Sequence, residues 1–176
     1  MTKQILKLGG ILCIITFIVA LLLGGVNEVT KDIIAQNSLK AENEAVAELI
    51  KADYYKKISD SVYEGVVGGK DCSGYCVRAS AKGYGGDIVM LVGYDTELKL
   101  LGIKILEISE TAGLGSKAAL PEFSQALAGK EPLLSVVKNG GGKNEIDAIS
   151  GATITTNAVA KAINQSYEEL LKTLGK

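Results

Sequence analysis

A long apolar run near the amino terminus constrains this chain more than any other feature. Residues 8–26 read LGGILCIITFIVALLLGGV and include no charged residue. As an α-helix this run is about 28 Å long, close to the thickness of the hydrocarbon core of a membrane. The run predicts one transmembrane helix within residues 1–27.

The residues around this run bear on its processing and its orientation. The apolar core of a cleaved signal peptide is usually shorter, and no small-residue cleavage site follows Leu23. We therefore expect the helix to be retained. Lys3 and Lys7 precede the run, whereas the charges that follow it are balanced. This asymmetry predicts a cytoplasmic amino terminus and a domain on the outer face of the cell membrane.

The chain beyond the run divides into a helical stalk and a small domain. Residues 28–57 are rich in alanine, glutamate and lysine and carry a broken helical apolar pattern, which is typical of a stalk. Residues 58–176 carry short strand patterns separated by glycine-rich turns. The predicted strands are residues 61–67, 76–81, 87–94 and 99–108, and a further extended segment is 133–137.

Two helices complete this domain. A short one is predicted at residues 121–128, and a longer one near the carboxyl terminus. Alternation in the strand at 99–108 is incomplete, which indicates a sheet with one buried face and another partly covered by a helix. The sequence thus predicts an α+β domain with an antiparallel sheet and flanking helices, preceded by a transmembrane helix.

The stretch DAISGATITT at residues 147–156 leads into the longer helix, which is predicted to begin at Thr155 or Thr156 and to end at Gly175. Gly151 and Ala152 leave the backbone open, and hydroxyl groups accompany the free N–H groups of the helix start. This combination suits a bound phosphate. A simple turn with a helix cap explains the same residues, so the stretch alone leaves both interpretations open.

Two other glycine-bearing segments have the character of loops. They are ETAGLGSK at residues 110–117 and KNGGG at residues 138–142. The first is equally a plain connector before the helix at 121–128. Together with residues 147–156, these loops could surround one pocket.

The composition excludes several kinds of function. The chain has no histidine, which removes Ser-His-Asp and Cys-His catalysis and histidine-ligated metal and haem sites. Its net charge is −1 and its lysines are scattered, so nucleic acid is not an expected partner. Cys72 and Cys76 have no second pair for a metal site, and form a disulfide or stay free. We expect no metal site and no catalytic residue set, so the chemistry belongs to a cofactor.

Four motifs behind the single membrane span carry a family resemblance. They are GYGGDIVMLVGY at 83–94, GIKILEISETAGLGSK at 102–117, KNGG at 138–141 and DAISGATIT at 147–155. In their order and spacing, over nearly the whole chain, the sequence resembles the flavin-binding G subunit of the Rnf complex, a membrane ferredoxin:NAD oxidoreductase. It resembles less closely the C subunit of the sodium-pumping NADH:quinone oxidoreductase. Ala112 departs from the family, which usually has proline there, and so does the Cys72 and Cys76 pair.

The resemblance implies an FMN joined through its phosphate to the hydroxyl of Thr153, the last residue of Ser-Gly-Ala-Thr. A magnesium-dependent flavin transferase that uses FAD would form this bond, and Asp147 matches the first residue of the motif that this enzyme recognises. The resemblance also implies flavin contacts from Thr111, Leu114, Gly115 and Lys138, with Ser150, Gly151 and Ala152 forming the wall beside the linkage.

The function that the resemblance implies is electron transfer by a non-catalytic subunit of a membrane-bound, ion-translocating ferredoxin:NAD oxidoreductase complex. Its partners would be other integral membrane subunits. A stand-alone membrane-anchored flavin reductase and a non-redox ligand-binding membrane module are the alternatives. The sequence shows neither a dinucleotide fingerprint nor an acid–base set for a substrate, which favours the electron carrier.

Overall fold

The structure is a computed structural model that describes residues 2–138 and 142–176. The chain divides into two compact units, Met1–Lys40 and Ala41–Lys176. The first unit is helical in all its described residues, as part of α1, Thr2–Leu49. Its large apolar side chains are exposed. In the described part of the chain, α1 is the one helix long and apolar enough to cross a membrane.

The second unit contains a five-stranded antiparallel sheet whose strands lie side by side in sequence order. The strands are β1 Tyr54–Lys57, β2 Val62–Val67, β3 Asp71–Lys82, β4 Asp87–Tyr94 and β5 Leu100–Glu107. The predicted antiparallel sheet with flanking helices is therefore confirmed. The strand predicted at residues 76–81 proves to be the second half of the longer β3.

The helical stalk ends earlier than the sequence indicated. Helix α1 stops at Leu49, and the residues expected at the end of the stalk form β1, an edge strand paired with β2. Aromatic side chains favour extended backbone, and Tyr55 lies opposite Gly65 in this pairing. The Tyr55 hydroxyl also donates a hydrogen bond of 2.8 Å to the Ile50 carbonyl, just beyond the helix. Pairing with β2 therefore outweighs continuation of the helix.

Both faces of the sheet are covered, and this explains the incomplete alternation of its strands. On one face, Met90, Val92 and Tyr94 of β4 are buried in the core that includes the carboxyl-terminal helix. On the other face, Leu91 of the same strand is buried with residues near the end of α1. Gly93 allows this helix end to approach, since a Cβ there would lie 3.3 Å from the Cβ of Leu49.

The second half of the domain contains a 3₁₀ helix at Gly115–Ala119, α2 at Pro121–Leu127, the short strands β6 Ser135–Val137 and β7 Glu145–Asp147, and α3 at Thr153–Leu174. Strands β6 and β7 pair in parallel. Helix α3 ends before Gly175, which has the left-handed conformation expected of a helix terminator. It begins at Thr153, earlier than predicted, because the Thr156 amide already donates to the Ala152 carbonyl.

Cys72 and Cys76 are free thiols. Both lie on β3, where an extended backbone rises about 3.3 Å per residue, so their Cα atoms are about 13 Å apart. A disulfide needs Cα atoms within about 7 Å. The extended strand therefore keeps the two thiols apart, and of the two alternatives, a disulfide or free thiols, the structure has free thiols.

Candidate functional site

Three separate segments of the second unit line one cavity beside the start of α3. The cavity has a volume of 540 Å³. Its walls come from the turn between β3 and β4, the loop after β5, and the residues around the start of α3. The lining residues are Tyr84, Glu110, Thr111, Leu114, Gly115, Gly151, Ala152, Thr153, Ile154 and Thr155.

The turn before α3 brings the backbone close to the loop after β5. The Ala152 amide donates to the Ile149 carbonyl at 2.9 Å, and Gly151 has a φ of 77°, a conformation that favours glycine. A Cβ at Gly151 would also lie 3.1 Å from Leu114 Cδ2. The glycine is therefore required both by the turn and by the contact across the cavity.

The three threonines at the start of α3 differ in what their hydroxyl groups do. The Thr155 hydroxyl is buried and donates to Glu110 Oε2 at 2.9 Å. The Thr156 hydroxyl is buried, donates to the Ala152 carbonyl and accepts from the Ile149 amide, both at 3.0 Å. Thr153 is exposed, and its hydroxyl makes no hydrogen bond to residues 2–138 or 142–176. Of the three hydroxyls, that of Thr153 is thus the one available to react.

The loop after β5 is ordered by its own backbone turns. The Leu114 and Ser116 amides both donate to the Thr111 carbonyl, at 3.2 and 3.3 Å, and the Gly113 amide donates to the Ser116 hydroxyl at 2.9 Å. These bonds hold the Leu114 side chain, which is 41% exposed, at the cavity. These turns therefore fix the loop that forms one wall of the cavity.

Glu110 connects all three walls, a role that the sequence analysis did not assign to it. Its Oε1 accepts from the Tyr84 amide at 2.7 Å and from the Gly85 amide at 3.2 Å. Its Oε2 accepts from the Thr155 hydroxyl. In the sequence, the three glycines of GYGG are the signal that could have found it, because a turn with few side chains exposes amides that need an acceptor.

Most of the predicted cofactor-binding residues line this cavity. Those that do are Thr111, Leu114, Gly115, Gly151, Ala152 and Thr153. Ser150 and Lys138 are exposed and do not line it, and Asn139–Gly141 of the predicted third loop lie outside the described residues. The turn at Tyr84 forms the third wall instead. The predicted roles of Ser150 and Lys138 remain predictions.

The cavity suits a ligand with an apolar part and an anionic group. Tyr84, Leu114 and Ile154 offer apolar surface around it. At one end lies the first turn of α3, whose backbone N–H groups and helix dipole favour an anion. The N-cap residue is Ala152, which provides no side-chain hydrogen bond to those N–H groups. A phosphate beside Thr153 would lie at helix N–H groups that receive no side-chain cap within the described residues.

This fold and this cavity define an FMN-binding domain. Residues 83–168 match the family model of that name, and residues 1–49 match the model of the RnfG N-terminal region. The NqrC protein of Shewanella oneidensis has the same fold, with a TM-score of 0.54 and 22% sequence identity. The match covers 71% of this chain and 70% of that chain. The C subunit of the sodium-translocating NADH-quinone reductase of Parabacteroides distasonis has a similar structure, with a TM-score of 0.56, 26% identity and coverage of 65% of this chain and 62% of that one.

Comparison of whole sequences gives the particular family. The G subunit of the proton-translocating ferredoxin:NAD(+) oxidoreductase complex of Clostridium ljungdahlii is 32% identical, with coverage of 90% of this chain and 88% of that one. The G subunit of the sodium-translocating complex of Acetobacterium woodii is 31% identical, with coverage of 97% of this chain and 95% of that one. The chain belongs to the family of G subunits of ion-translocating ferredoxin:NAD oxidoreductase complexes, the Rnf complexes.

Proposed function

We propose that this chain carries FMN, joined through its phosphate to Oγ1 of Thr153, and passes electrons within a membrane-bound, ion-translocating ferredoxin:NAD oxidoreductase complex. The observation that carries the linkage is the state of the three threonine hydroxyls. Those of Thr155 and Thr156 are buried and hydrogen-bonded, whereas Thr153 is exposed at the cavity. The family and the FMN-binding domain support the cofactor and the electron-transfer role.

The residues around the cavity have separate tasks in this proposal. The first turn of α3 would hold the phosphate on its N–H groups, and Tyr84, Leu114 and Ile154 would contact the ring and exclude water from it. When bound, FMN supplies one- and two-electron redox chemistry that the side chains of this protein cannot. Lys138, if the predicted contact holds, would favour the more negative states of the ring.

Formation of the linkage requires a second enzyme. A threonine hydroxyl is a poor nucleophile without a base, the chain has no histidine, and Thr153 has no carboxylate partner in the described residues. In the proposed reaction a flavin transferase brings FAD to Thr153. The Oγ1–phosphorus bond forms, the phosphoanhydride bond of FAD breaks, the hydroxyl proton is lost to a base of the transferase, and AMP leaves. Asp147, exposed on the approach to the turn, fits the role of a recognition residue.

Mass spectrometry of the full chain tests the linkage. Coexpression with a flavin transferase should add the mass of FMN less one water, and peptide mapping should place it on Thr153. Thr153→Val should stay unmodified, whereas the matched Thr153→Ser, which keeps a hydroxyl, should still be modified. FMN found on Thr155 or Thr156 would contradict the proposal, and modification without any transferase would show that the attachment is autocatalytic.

We further propose that the amino terminus is cytoplasmic, that the flavin domain lies on the outer face of the membrane, and that other membrane subunits of the complex are its partners. Lys3 and Lys7 before the apolar run support the orientation. A membrane-impermeant thiol reagent should label a cysteine placed at Lys176, but not one placed at Lys3, in intact cells of a Cys72→Ser strain. The opposite labelling pattern would refute the orientation.

The distinction between a carrier and an independent reductase is kinetic. A tethered flavin meets fixed partners repeatedly, because the membrane keeps their effective concentration high. The isolated flavinylated protein should therefore oxidise NADH far more slowly than the whole complex does. Steady-state rates equal to those of the complex would show that the chain is an enzyme in its own right.

A further inference from the structure

Glu110 holds together parts of the chain that are distant in sequence. Its two oxygens accept hydrogen bonds from the amides of Tyr84 and Gly85, in the turn before β4, and from the hydroxyl of Thr155, in α3. A carboxylate suits these donors because both of its oxygens are acceptors, whereas an amide side chain has one acceptor and one donor. Glu110 thereby links the three walls of the cavity through one group.

Glycines in the neighbouring loops make room for the Glu110 carboxylate. A Cβ at Gly115 would lie 2.6 Å from Glu110 Oε2, and a Cβ at Gly83 would collide with Oε1. A Cβ at Gly85 would collide with the carbonyl of the preceding residue, Ser109. Two glycines on two loops therefore make room for the carboxylate, and a third makes room for the backbone just before it, so both loops fix its position.

Among the described residues, no cation offsets the charge of Glu110. No lysine or arginine of residues 2–138 or 142–176 lies within ion-pair distance of its oxygens. The partners are two amides and one hydroxyl, which stabilise the negative charge by hydrogen bonding without cancelling it. Glu110 also lines the cavity together with Thr153. A group bound in this cavity would therefore lie near the Glu110 carboxylate.

We propose that Glu110 is a positioning residue of the flavin pocket and that its charge lowers the reduction potential of the bound flavin. This rests on the proposed binding of FMN at Thr153. Hydrogen bonds to Glu110 hold the Tyr84 turn and Thr155 in the geometry that shapes the pocket. Its negative charge disfavours the addition of electrons to a ring nearby, because like charges repel most strongly where water is excluded.

The positioning role is tested first without flavin. In the full chain carrying Thr153→Val, Glu110→Ala should raise the amide exchange rates of Tyr84 and Gly85 on the order of tenfold, since each loses a hydrogen bond to a charged acceptor. Glu110→Gln keeps one acceptor for these amides and should change the rates less. Glu107→Gln, at the exposed end of β5, is the matched control and should leave both rates unchanged. Unchanged exchange in Glu110→Ala would overturn the positioning role.

The charge is tested in the flavinylated full chain, after absorbance has shown equal FMN content in each variant. Glu110→Gln should shift the midpoint potential upward, while Glu107→Gln should match the unsubstituted protein. Thr155→Val removes one hydrogen bond but keeps the charge, so it should shift the potential less than Glu110→Gln. An unshifted potential in Glu110→Gln would overturn the effect of the charge.

These outcomes separate the inference from the function on which it rests. If the unsubstituted chain takes up no FMN from a transferase, the proposed function fails, and the exchange experiment still reports on Glu110. If FMN is present and neither the exchange rates nor the potential respond to Glu110, the inference alone fails. If the visible circular dichroism of the flavin changes in Glu110→Ala and recovers in Glu110→Gln, the pocket geometry depends on this side chain.

Discussion

Two carboxylates of the domain accept hydrogen bonds from residues distant in sequence. They are Glu42, near the end of α1, and Glu110, at the cavity. Glu42 is 5% exposed. It accepts from the Tyr63 hydroxyl at 2.8 Å and from Arg78 Nη1 at 3.3 Å. The donors to Glu110 are backbone amides and a hydroxyl, and it lines a cavity of 540 Å³.

The difference between these two sites lies in how the charge is compensated. Arg78 forms an ion pair with Glu42 and so compensates its charge. The Glu42 carboxylate therefore acts to hold the end of α1 to the sheet. Glu110 has no such cation among the described residues, so its charge remains available to act on a ligand. A compensated buried carboxylate is therefore interpreted as structural here, and an uncompensated one beside a cavity as functional.

The largest loss of stability should come from the face of the sheet that α3 covers. Ile163 is fully buried in that core, and Ile163→Ala should lower the free energy of unfolding by about 3 to 4 kcal/mol through lost burial and a residual cavity. The measurement is urea unfolding of the full chain in detergent, followed by circular dichroism. Ile154→Ala, 57% exposed on the same helix, should cost less than about 0.5 kcal/mol. Equal losses in the two variants would mean that α3 does not pack as described.

Removal of Glu42 should cost less than this but more than a surface substitution. Glu42→Ala leaves the hydroxyl of Tyr63 and part of Arg78 without an acceptor, so we expect a loss of about 2 kcal/mol in the same assay. Glu44→Ala, on the exposed side of α1, is the matched control and should be close to neutral. The flavin potential should not move in Glu42→Ala. A shifted potential would break the contrast with Glu110.

Much of the fold could be predicted because its signals are local. The apolar run, the strand at 87–94 and the spacing of apolar residues in α3 all depend on neighbours along the chain. The missed features depend on pairing across the chain. Strand β1 exists because it pairs with β2, and α3 starts at Thr153 because the Ile149–Ala152 turn supplies its first carbonyl. The secondary-structure propensities of single residues do not predict these contacts.

The candidate site could be predicted where a motif was recognised, and not where contacts cross between loops. Ser-Gly-Ala-Thr and the loop at 110–117 were identified, and the residues Thr111 and Thr153 do line the cavity. Tyr84 and Glu110 lie in two of the four motifs, but the sequence predicts no role for either residue. Their role depends on the Tyr84 amide lying 2.7 Å from the Glu110 carboxylate, a distance between residues far apart in sequence.

A smaller effect is expected where the turn before α3 meets the opposite wall of the cavity. Gly151→Ala should lower the free energy of unfolding by about 1 to 2 kcal/mol through its positive φ, and should also reduce FMN incorporation because its Cβ would press on Leu114. Gly68→Ala is the matched control, since Gly68 has a φ of 62° and nothing within 4 Å of an added Cβ. It should show a similar loss of stability with full FMN content. Equal incorporation in the two variants would argue against Leu114 as a cavity wall.

The smallest effect concerns the pH dependence of stability that Tyr63 contributes at the Glu42 site. Burial, and then the hydrogen bond to Glu42, raise the pKa of Tyr63 to about 12 from its ordinary 10.0. The folded protein thus holds this proton more tightly than the unfolded chain does. The contribution to stability is complete below pH 10 and is lost as pH rises through about 12.

Tyr63→Phe removes this titration together with one hydrogen bond, so it should cost about 1 kcal/mol at pH 8 and progressively less as the pH approaches 12. The comparison is between urea midpoints of the two proteins across that range. Tyr75 also has a pKa raised to about 12, chiefly by its hydrogen bond to Cys72, so the variant should keep part of the alkaline decline. Tyr75→Phe is therefore the matched control. Adding Glu42→Gln should change the alkaline loss of stability more in Tyr75→Phe, which keeps Tyr63, than in Tyr63→Phe. A difference between Tyr63→Phe and the unsubstituted protein that is constant from pH 8 to 12 would show that Tyr63 and Glu42 do not share the proton linkage described here.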